Sequence, residues 1–272
     1  MSKHSRKKRI SAASITGMKK ESKKISMVTC YDSAFAGLIN ETDIDAVLVG
    51  DSMGNVILGF EDTIPVTMAM MTHHTAAVSR TLNGPMLVAD MPFMTYGVSV
   101  EQAIKNASQL IQDGGAHAVK MEGGREIVPQ VEALTQAGIP VMGHLGLTPQ
   151  KIHALGGYKV QGRGEAGEIL KKEAMALQEA GCFAVVLELI PDDLARNVSQ
   201  ALDVPTIGIG AGVGTDGQVL VLHDLLGFNS DFKPKFLKTY ANVGQVVTDA
   251  LQAYSSEVKE GLFPAEEHTF KK

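Results

Sequence analysis

Eight short apolar runs, each separated from the next by a longer segment, limit what this 272-residue chain can fold into. They read ISMVTC (25–30), DAVLVG (45–50), PMLVAD (85–90), AHAVKME (116–122), PVMGHL (140–145), FAVVLEL (183–189), PTIGIG (205–210) and QVLVLH (218–223). Runs that are apolar on both faces and alternate with helices are typical of a parallel sheet covered by helices. Because eight strand–helix units match the number in a closed barrel, we predict an α/β fold, a single-domain (β/α)8 TIM barrel.

Helical spacing in the intervening segments supports this alternation. The helix-like segments cover 33–40, 67–82, 99–113, 126–136, 166–180, 192–201 and 236–260. We expect an N-terminal tail and leading segment over 1–24, the barrel over 25–262 and a C-terminal tail over 263–272. The alternative, an open doubly wound sheet, is disfavoured because the first turn, CYDS (30–33), lacks the glycine pattern of dinucleotide-binding folds.

Composition limits the partners and the compartment. A net charge of −5, with both signs spread along the chain, gives no basic field for nucleic acid or an anionic membrane, so neither is expected as a partner. The two cysteines, Cys30 and Cys182, each adjoin an apolar run, which predicts buried thiols and no disulfide. The basic N-terminus, MSKHSRKKRI, is compatible with organelle targeting but is not followed by the apolar stretch of a secretory signal. We therefore predict a cytoplasmic protein.

Ionisable residues end five consecutive runs. The residues concerned are Asp51 with Ser52, Asp90, Lys120 with Glu122, His144 and Glu188. Each has an ordinary structural interpretation by itself, since acids at strand exits often cap helices and single histidines are often satisfied in a core. In a barrel, however, the carboxyl ends of the strands surround one mouth, where active sites lie. Five strands that deliver such groups to one end therefore predict an active site there.

Three of these residues stand out on physical grounds. Lys120 and Glu122 are two residues apart in a strand and so share one face of an otherwise apolar run. They could form an internal ion pair. Because buried ion pairs contribute little to stability, a functional role is an equally reasonable interpretation. Glu188 has only apolar sequence neighbours in VVLELI (185–190). Apolar surroundings raise a carboxyl pKa toward the range of a general acid or base, so we predict such a role for Glu188.

Aspartates from two adjacent strands supply hard oxygen ligands. Asp51 and Asp90, with Glu122 nearby, suit Mg2+ better than zinc, whose sites prefer sulfur and imidazole. The predicted metal is therefore Mg2+, and these three carboxylates are its candidate ligands.

Long motifs in the chain resemble those of one known family and follow one another in the same order. They are TCYDSAFA, VLVGDSMGNVILG, TIPVTMAMMTHHTAAV, LVADMPFMTYG, AVKMEGG, VMGHLGLTPQ, GGYKVQGR, LELIP and IGIGAGVGTDGQVLVLHDLLG. On these motifs the chain closely resembles the ketopantoate hydroxymethyltransferases over nearly its whole length. The segment 227–240 and the two ends are its less distinctive parts.

The resemblance implies a (β/α)8 barrel that uses Mg2+ to transfer a one-carbon unit. The unit passes from 5,10-methylenetetrahydrofolate, the co-substrate, to 3-methyl-2-oxobutanoate, giving 2-dehydropantoate and tetrahydrofolate in pantothenate biosynthesis. Family members commonly assemble as homodecamers. The implied contacts are, for the keto acid, Asp51, Ser52, Asp90 and Lys120, and, for the metal, Asp51, Asp90 and Glu122. Glu188 is implied as the base, with Lys120 and His144 as further catalytic groups.

Three other interpretations stay open at this point. The nearest is another Mg2+-dependent enolate enzyme of the phosphoenolpyruvate mutase and isocitrate lyase group, although 89–92 reads ADMP where that group has Asp-x-Asp. A Schiff-base aldolase would use Lys120, but Glu122 and the two aspartates argue against it. A catalytically inactive barrel that binds a keto acid is the third, and the retention of every expected site residue argues against that.

Overall fold

Eight parallel strands form a closed barrel in the computed structural model, which describes residues 8–229 and 232–271. The strands are β1 (Ile25–Thr29), β2 (Ala46–Val49), β3 (Met86–Asp90), β4 (Ala118–Glu122), β5 (Val141–Gly146), β6 (Ala184–Glu188), β7 (Thr206–Ile209) and β8 (Gly217–Leu220). Each strand pairs with the next along the chain, and β8 returns to pair with β1. The predicted (β/α)8 barrel is therefore confirmed, with each strand inside its apolar run except β5 and β8, which extend one residue beyond theirs at opposite ends.

Helices occupy the connections between the strands and the chain ends. They are α1 (Ala12–Lys20), α2 (Ser33–Ile39), α3 (Met53–Val56), α4 (Met68–Ser79), α5 (Val100–Gln112), α6 (Val128–Gln136), α7 (Ile152–Leu155), α8 (Glu165–Glu179), α9 (Asp192–Ala201), α10 (Leu222–Leu225) and α11 (Val243–Glu260). The side chain of Ser99 accepts a hydrogen bond from Gln102 N at 3.1 Å and so caps the start of α5. Within residues 8–229 and 232–271, no helix combines the length and apolarity needed to cross a membrane.

The chain forms two compact units, Met1–Val221 and Leu222–Lys272. All eight strands belong to the first unit, and α10 and α11 belong to the second. Two predicted bounds near this boundary are wrong. The eighth strand ends at Leu220, although its apolar run continues to 223, and the last long helix begins at Val243, although the sequence predicts a start at 236. The domain bounds given by the sequence stay predictions.

The barrel interior is filled by side chains that alternate along the strands. Residues two apart on one strand point the same way, so every second side chain faces the interior. The buried cluster they form contains Ile25, Met27, Ala46, Leu48, Met86, Val88, Ala118, Met142, Ala184, Val186, Ile207 and Val219. Aliphatic and thioether side chains therefore fill the amino-terminal part of the barrel interior and leave its carboxyl end for other groups.

Helix α1 belongs to this packing, whereas the sequence predicts only a leading segment there. Ser11 caps it, because its side chain accepts from the Ser14 backbone N–H at 3.2 Å. Ile15 lies in the same buried cluster as the strand residues and is only 1% exposed. Lys19 forms an ion pair with Asp216 at 2.8 Å, just before β8. The helix thus packs at the amino ends of the strands, opposite the mouth.

Candidate active site

The inward-facing side chains change from apolar to ionisable toward the carboxyl ends of four strands. The pairs, core residue first, are Val88 and Asp90 on β3, Ala118 and Lys120 on β4, Met142 and His144 on β5, and Val186 and Glu188 on β6, with Glu122 two residues beyond Lys120. The register of the strands places ionisable residues of adjacent strands side by side. Asp90 on β3 pairs with Lys120 on β4, and Glu122 on β4 pairs with His144 on β5. The two-residue period of a strand therefore brings to one mouth groups that are far apart in the sequence.

Lys120 lies at the centre of this cluster. Its Nζ is 2.9 Å from Oδ1 of Asp90, 3.6 Å from Oε1 of Glu122 and 3.1 Å from Nδ1 of His144. Burial opposes its charge, but the carboxylates of Asp90, Glu122 and Asp51 outweigh burial and raise the pKa of Lys120. The lysine is therefore a fixed positive charge in the site, and the internal ion pair considered from the sequence is present as well.

His144 connects two carboxylates through its two ring nitrogens. Nδ1 lies 3.2 Å from Oε1 of Glu122, and Nε2 lies 3.3 Å from Oε2 of Glu188. Burial and the nearby Lys120 lower the pKa of His144, but Glu122 and Glu188 outweigh them and raise it to about 9. The close approach of Lys120 to Nδ1 works against protonation, so the raised pKa depends on both carboxylates. The ring is thereby held between a buried acid and the acid nearest the opening.

Glu188 is the most accessible acid of the cluster. Its side chain is 16% exposed, whereas that of Glu122 is 2% exposed. The expectation that it lies among apolar groups is wrong, because strand alternation turns Val185 and Leu187 to the other face of β6 while the carboxylate points toward His144. Its position at the opening suits a group that must reach a substrate.

The backbone around Glu188 is fixed by an unusual turn. Leu189, directly after β6, has a φ of 46°. This left-handed conformation is uncommon for a residue with a branched side chain, and such strain concentrates at functional sites. The carbonyl of Glu188 accepts from Leu147 N at 2.8 Å, and that of Leu189 accepts from Gln161 N at 2.8 Å. These bonds hold the catalytic candidate from the neighbouring β5 side.

Replacing Gly146 by alanine is expected to destabilise the protein strongly. Gly146 has a φ of 94°, and a Cβ there would overlap the backbone oxygen of Glu188. The matched control is Gly138→Ala, since Gly138 has a φ of 85° but open space around the position of a Cβ. The left-handed conformation costs about 1–2 kcal/mol in both variants, and overlap adds about 1–3 kcal/mol in Gly146→Ala. Urea unfolding of both variants measures the difference, and equal losses would contradict the overlap.

Asp51 and Ser52 enter the site from the turn between β2 and α3. The backbone N–H of Asp51 donates to Oδ2 of Asp90 at 3.0 Å, which joins the two adjacent aspartates. Burial, followed by the charges of Asp90 and Glu122, raises the pKa of Asp51 well above its ordinary value. Oγ of Ser52 lies 2.9 Å from the hydroxyl of Tyr31, which fixes its orientation.

The donor set suits a hard divalent cation. Asp51, Asp90 and Glu122 are each at most 3% exposed. Within the described part of the chain, no group of three or more His, Cys, Asp or Glu side chains is arranged so that it could hold a metal ion. Mg2+ is commonly held by one or two carboxylates plus substrate oxygens and water, so the paired aspartates fit that ion. Glu122 as a third ligand stays a prediction, because its oxygens face Lys120, His144 and the backbone of Gln150.

The structure brings together every residue that the sequence placed in the site, and it adds three. Asp90, Lys120, Glu122, His144 and Glu188 form one chain of contacts, with Asp51 joined to it through Asp90 and Ser52 following Asp51. The added residues are Tyr31, Tyr96 and Gln150, all buried and hydrogen-bonded within the site. Their positions depend on the packing of loops, and no spacing in the sequence distinguishes them from other buried polar residues.

A closed (β/α)8 barrel with buried carboxylates, lysine and histidine at the carboxyl ends of its strands defines a barrel enzyme. The chain belongs to the ketopantoate hydroxymethyltransferase family, whose model matches residues 9–266, and it is a transferase. It is 52% identical over 271 residues to a 3-methyl-2-oxobutanoate hydroxymethyltransferase of Syntrophus aciditrophicus (strain SB), covering 99% of this chain and 100% of the relative. It is 53% identical to the protein of that name from Moorella thermoacetica (strain ATCC 39073 / JCM 9320), covering 97% and 98%. The resemblance and the prediction of an enzyme are confirmed.

Solved structures share the fold at low sequence identity. A phosphoenolpyruvate phosphomutase from Streptomyces platensis subsp. rosaceus aligns with a TM-score of 0.61 and 15% identity, over 96% of this chain and 92% of that one. A phosphonopyruvate hydrolase in complex with oxalate and Mg++ aligns with a TM-score of 0.61 and 13% identity, over 94% and 92%. Identities this low establish a common barrel and nothing about the reaction.

Proposed function

We propose that the chain catalyses Mg2+-dependent transfer of a hydroxymethyl group from 5,10-methylenetetrahydrofolate to 3-methyl-2-oxobutanoate. The products are 2-dehydropantoate and tetrahydrofolate, as part of pantothenate biosynthesis. The observation that carries the proposal is the continuous set of contacts from Asp90 through Lys120, Glu122 and His144 to Glu188 at one barrel mouth. It combines oxygen ligands, a fixed positive charge and an accessible carboxylate, which are the groups that carbanion chemistry beside a ketone needs.

Asp51 and Asp90 are the residues that would hold the ion, with Glu122 as a predicted third ligand. The support lies in their charge: three buried carboxylates face one lysine and one histidine, so one negative charge is left uncompensated even when the histidine is protonated, and a divalent cation would compensate it. When bound, Mg2+ supplies Lewis-acid polarisation of the carbonyl group of a keto acid. The phosphonopyruvate hydrolase that shares this fold was crystallised with Mg++ and oxalate, a small dicarboxylate, which is compatible with this assignment.

Glu188 acts as the general base in this proposal. The C3–H bond of the keto acid breaks, its proton passes to the Glu188 carboxylate, and the electron pair forms the enolate. His144, 3.3 Å from Glu188, orients that carboxylate. C3 of the enolate then forms the new bond to the methylene carbon of the folate, and both bonds from that carbon to the two folate nitrogens break. One water supplies the oxygen of the product hydroxyl group. The proton from C3 and the two protons of the water end on that hydroxyl group and on the two nitrogens of tetrahydrofolate.

Lys120 and Ser52 bind the oxygens of the keto acid. Lys120 opposes the negative charge that develops on substrate oxygen, and such fixed groups stabilise a transition state without reorganising during the reaction. Ser52 donates to the substrate carboxylate, and Tyr31 holds its hydroxyl in place at 2.9 Å. The folate as carbon donor is supported by the family alone. The homodecamer and the cytoplasmic location likewise stay predictions from the sequence.

The test of this function separates proton loss from carbon transfer. We expect the protein to exchange the C3 proton of 3-methyl-2-oxobutanoate for deuterium in D2O when Mg2+ is present and folate is absent. Proton NMR of the C3 signal follows the exchange, and addition of EDTA should stop it. Addition of 5,10-methylenetetrahydrofolate should then convert the keto acid to 2-dehydropantoate. Exchange that is insensitive to EDTA would contradict the role of the metal.

A further inference from the structure

A buried glutamine that the proposed mechanism leaves unused joins two of the site's carboxylates. Gln150 lies in the 3-10 turn Pro149–Lys151 after β5, and only 4% of it is exposed. Its side-chain Nε2 donates to Oδ2 of Asp51 at 2.8 Å and to the carbonyl of Met91 at 2.9 Å. Its backbone N–H donates to Oε2 of Glu122 at 3.0 Å. One residue thereby connects the ends of β2, β3 and β4.

The orientation of the Gln150 amide is fixed by its neighbours. The hydroxyl of Tyr96 donates to Oε1 of Gln150 at 2.7 Å and accepts from the Glu122 backbone N–H at 3.1 Å. If the amide were reversed, Oε1 would face the Asp51 carboxylate and the Met91 carbonyl, which are both acceptors. The two N–H groups of the amide are therefore committed to Asp51 and Met91.

We propose that Gln150 is a positioning residue of the metal site, and that its uncharged amide fixes the Asp51 carboxylate without cancelling its charge. The proposal rests on the Mg2+ site of the proposed function. A cationic side chain at this place would neutralise Asp51 and compete with a metal ion. An apolar side chain would leave the carboxylate free to rotate and would also remove the connection to β3. Partners that orient metal ligands typically contribute about 10–100-fold to metal affinity.

The test measures metal binding directly, with no substrate present. Mn2+ is the probe, and the EPR signal of free Mn2+ gives its dissociation constant for the metal-free wild type, Gln150→Met and Gln130→Met. Gln130 is the matched control, because it is a buried glutamine whose Nε2 donates to the backbone carbonyl of Tyr96 at 3.2 Å and not to a carboxylate. We expect the dissociation constant to rise about 10–100-fold in Gln150→Met. Gln130→Met should bind Mn2+ as the wild type does.

The outcomes separate this inference from the function on which it rests. Equal Mn2+ affinity in Gln150→Met and the wild type overturns the role of Gln150 alone. Absence of Mn2+ binding by the wild type overturns the metal site itself, and the inference with it. If Gln150→Met does not fold, Gln150→Asn decides, because it keeps a side-chain amide but is one methylene group too short to reach Oδ2 of Asp51. Weaker Mn2+ binding by a folded Gln150→Asn supports the proposal, and unchanged binding overturns it.

Discussion

Glu188→Gln is expected to lower Mg2+-dependent exchange of the C3 proton by about 10²–10⁴-fold, the usual contribution of a positioned general base. Glutamine preserves the size of the side chain and can still contact His144, but it cannot accept the proton. Because Lys120 and Ser52 bind the oxygens of the keto acid in the proposed function, substrate binding should change little. Proton NMR in D2O gives the exchange rate, and titration of the keto acid gives its KM.

Two further variants make this result specific. Glu188→Asp retains a carboxylate and should recover part of the exchange, because the base is present but set back by one methylene group. Glu132→Gln, on the exposed face of α6, removes one carboxylate outside the mouth and should leave exchange unchanged. If Glu188→Gln exchanges as fast as the wild type, the base is another group, and His144 becomes the first candidate.

The strands and most helices could be predicted from the sequence because their signals are local. A run such as FAVVLEL (183–189) is short, β-branched and apolar, and its neighbours in sequence determine it as a strand. The structure departs from prediction where tertiary contacts decide. Helix α1 forms because Ile15 is buried in the barrel core. The chain before Val243 is irregular because its backbone bonds to helix α10, with Tyr240 N donating to the carbonyl of Leu225 at 2.8 Å.

The site could be predicted in its members but not in its contacts. Two-residue spacing within a strand and the carboxyl-end rule are enough to gather Asp90, Lys120 and Glu122. The environment of Glu188 could not be inferred from its neighbours, because Val185 and Leu187 point away from it and its partner, His144, is on another strand. The role of Gln150 was also out of reach, since it follows from hydrogen bonds between loops after three different strands.

Asp51→Asn is expected to abolish the stabilisation of the protein by Mg2+. In metal-free protein, it is expected to raise the free energy of unfolding at neutral pH. Burial and the charges of Asp90 and Glu122 raise the pKa of Asp51 in the folded protein. Because the pKa is higher in the folded protein, this group adds to the free energy of unfolding at pH values below its ordinary pKa. That contribution is lost as the pH rises through the pKa of Asp51 in the folded protein. At neutral pH without metal, the buried charge therefore opposes folding. Asparagine carries no charge and keeps an oxygen that can accept from Gln150.

Thermal melts in EDTA and in Mg2+ test both halves of this prediction. In EDTA the melting temperature of Asp51→Asn should exceed that of the wild type near neutrality, by about 2–4 °C for each 1 kcal/mol gained, and the difference should shrink toward acidic pH. Mg2+ should raise the melting temperature of the wild type by mass action and leave that of Asp51→Asn unchanged.

The control for these melts is Asp45→Asn, at the opposite end of the same strand. The carboxylate of Asp45 accepts from both N and Oγ of Ser26 at 2.8 Å, so it is already satisfied and lies away from the mouth. Its loss should not stabilise the protein, and the response to Mg2+ should persist. A gain in stability shared by Asp45→Asn would mean that net charge, and not the buried position of Asp51, sets the effect. A lower melting temperature for Asp51→Asn in EDTA would show that its charge is already compensated within the protein, and the argument for a cation beside it would then fail.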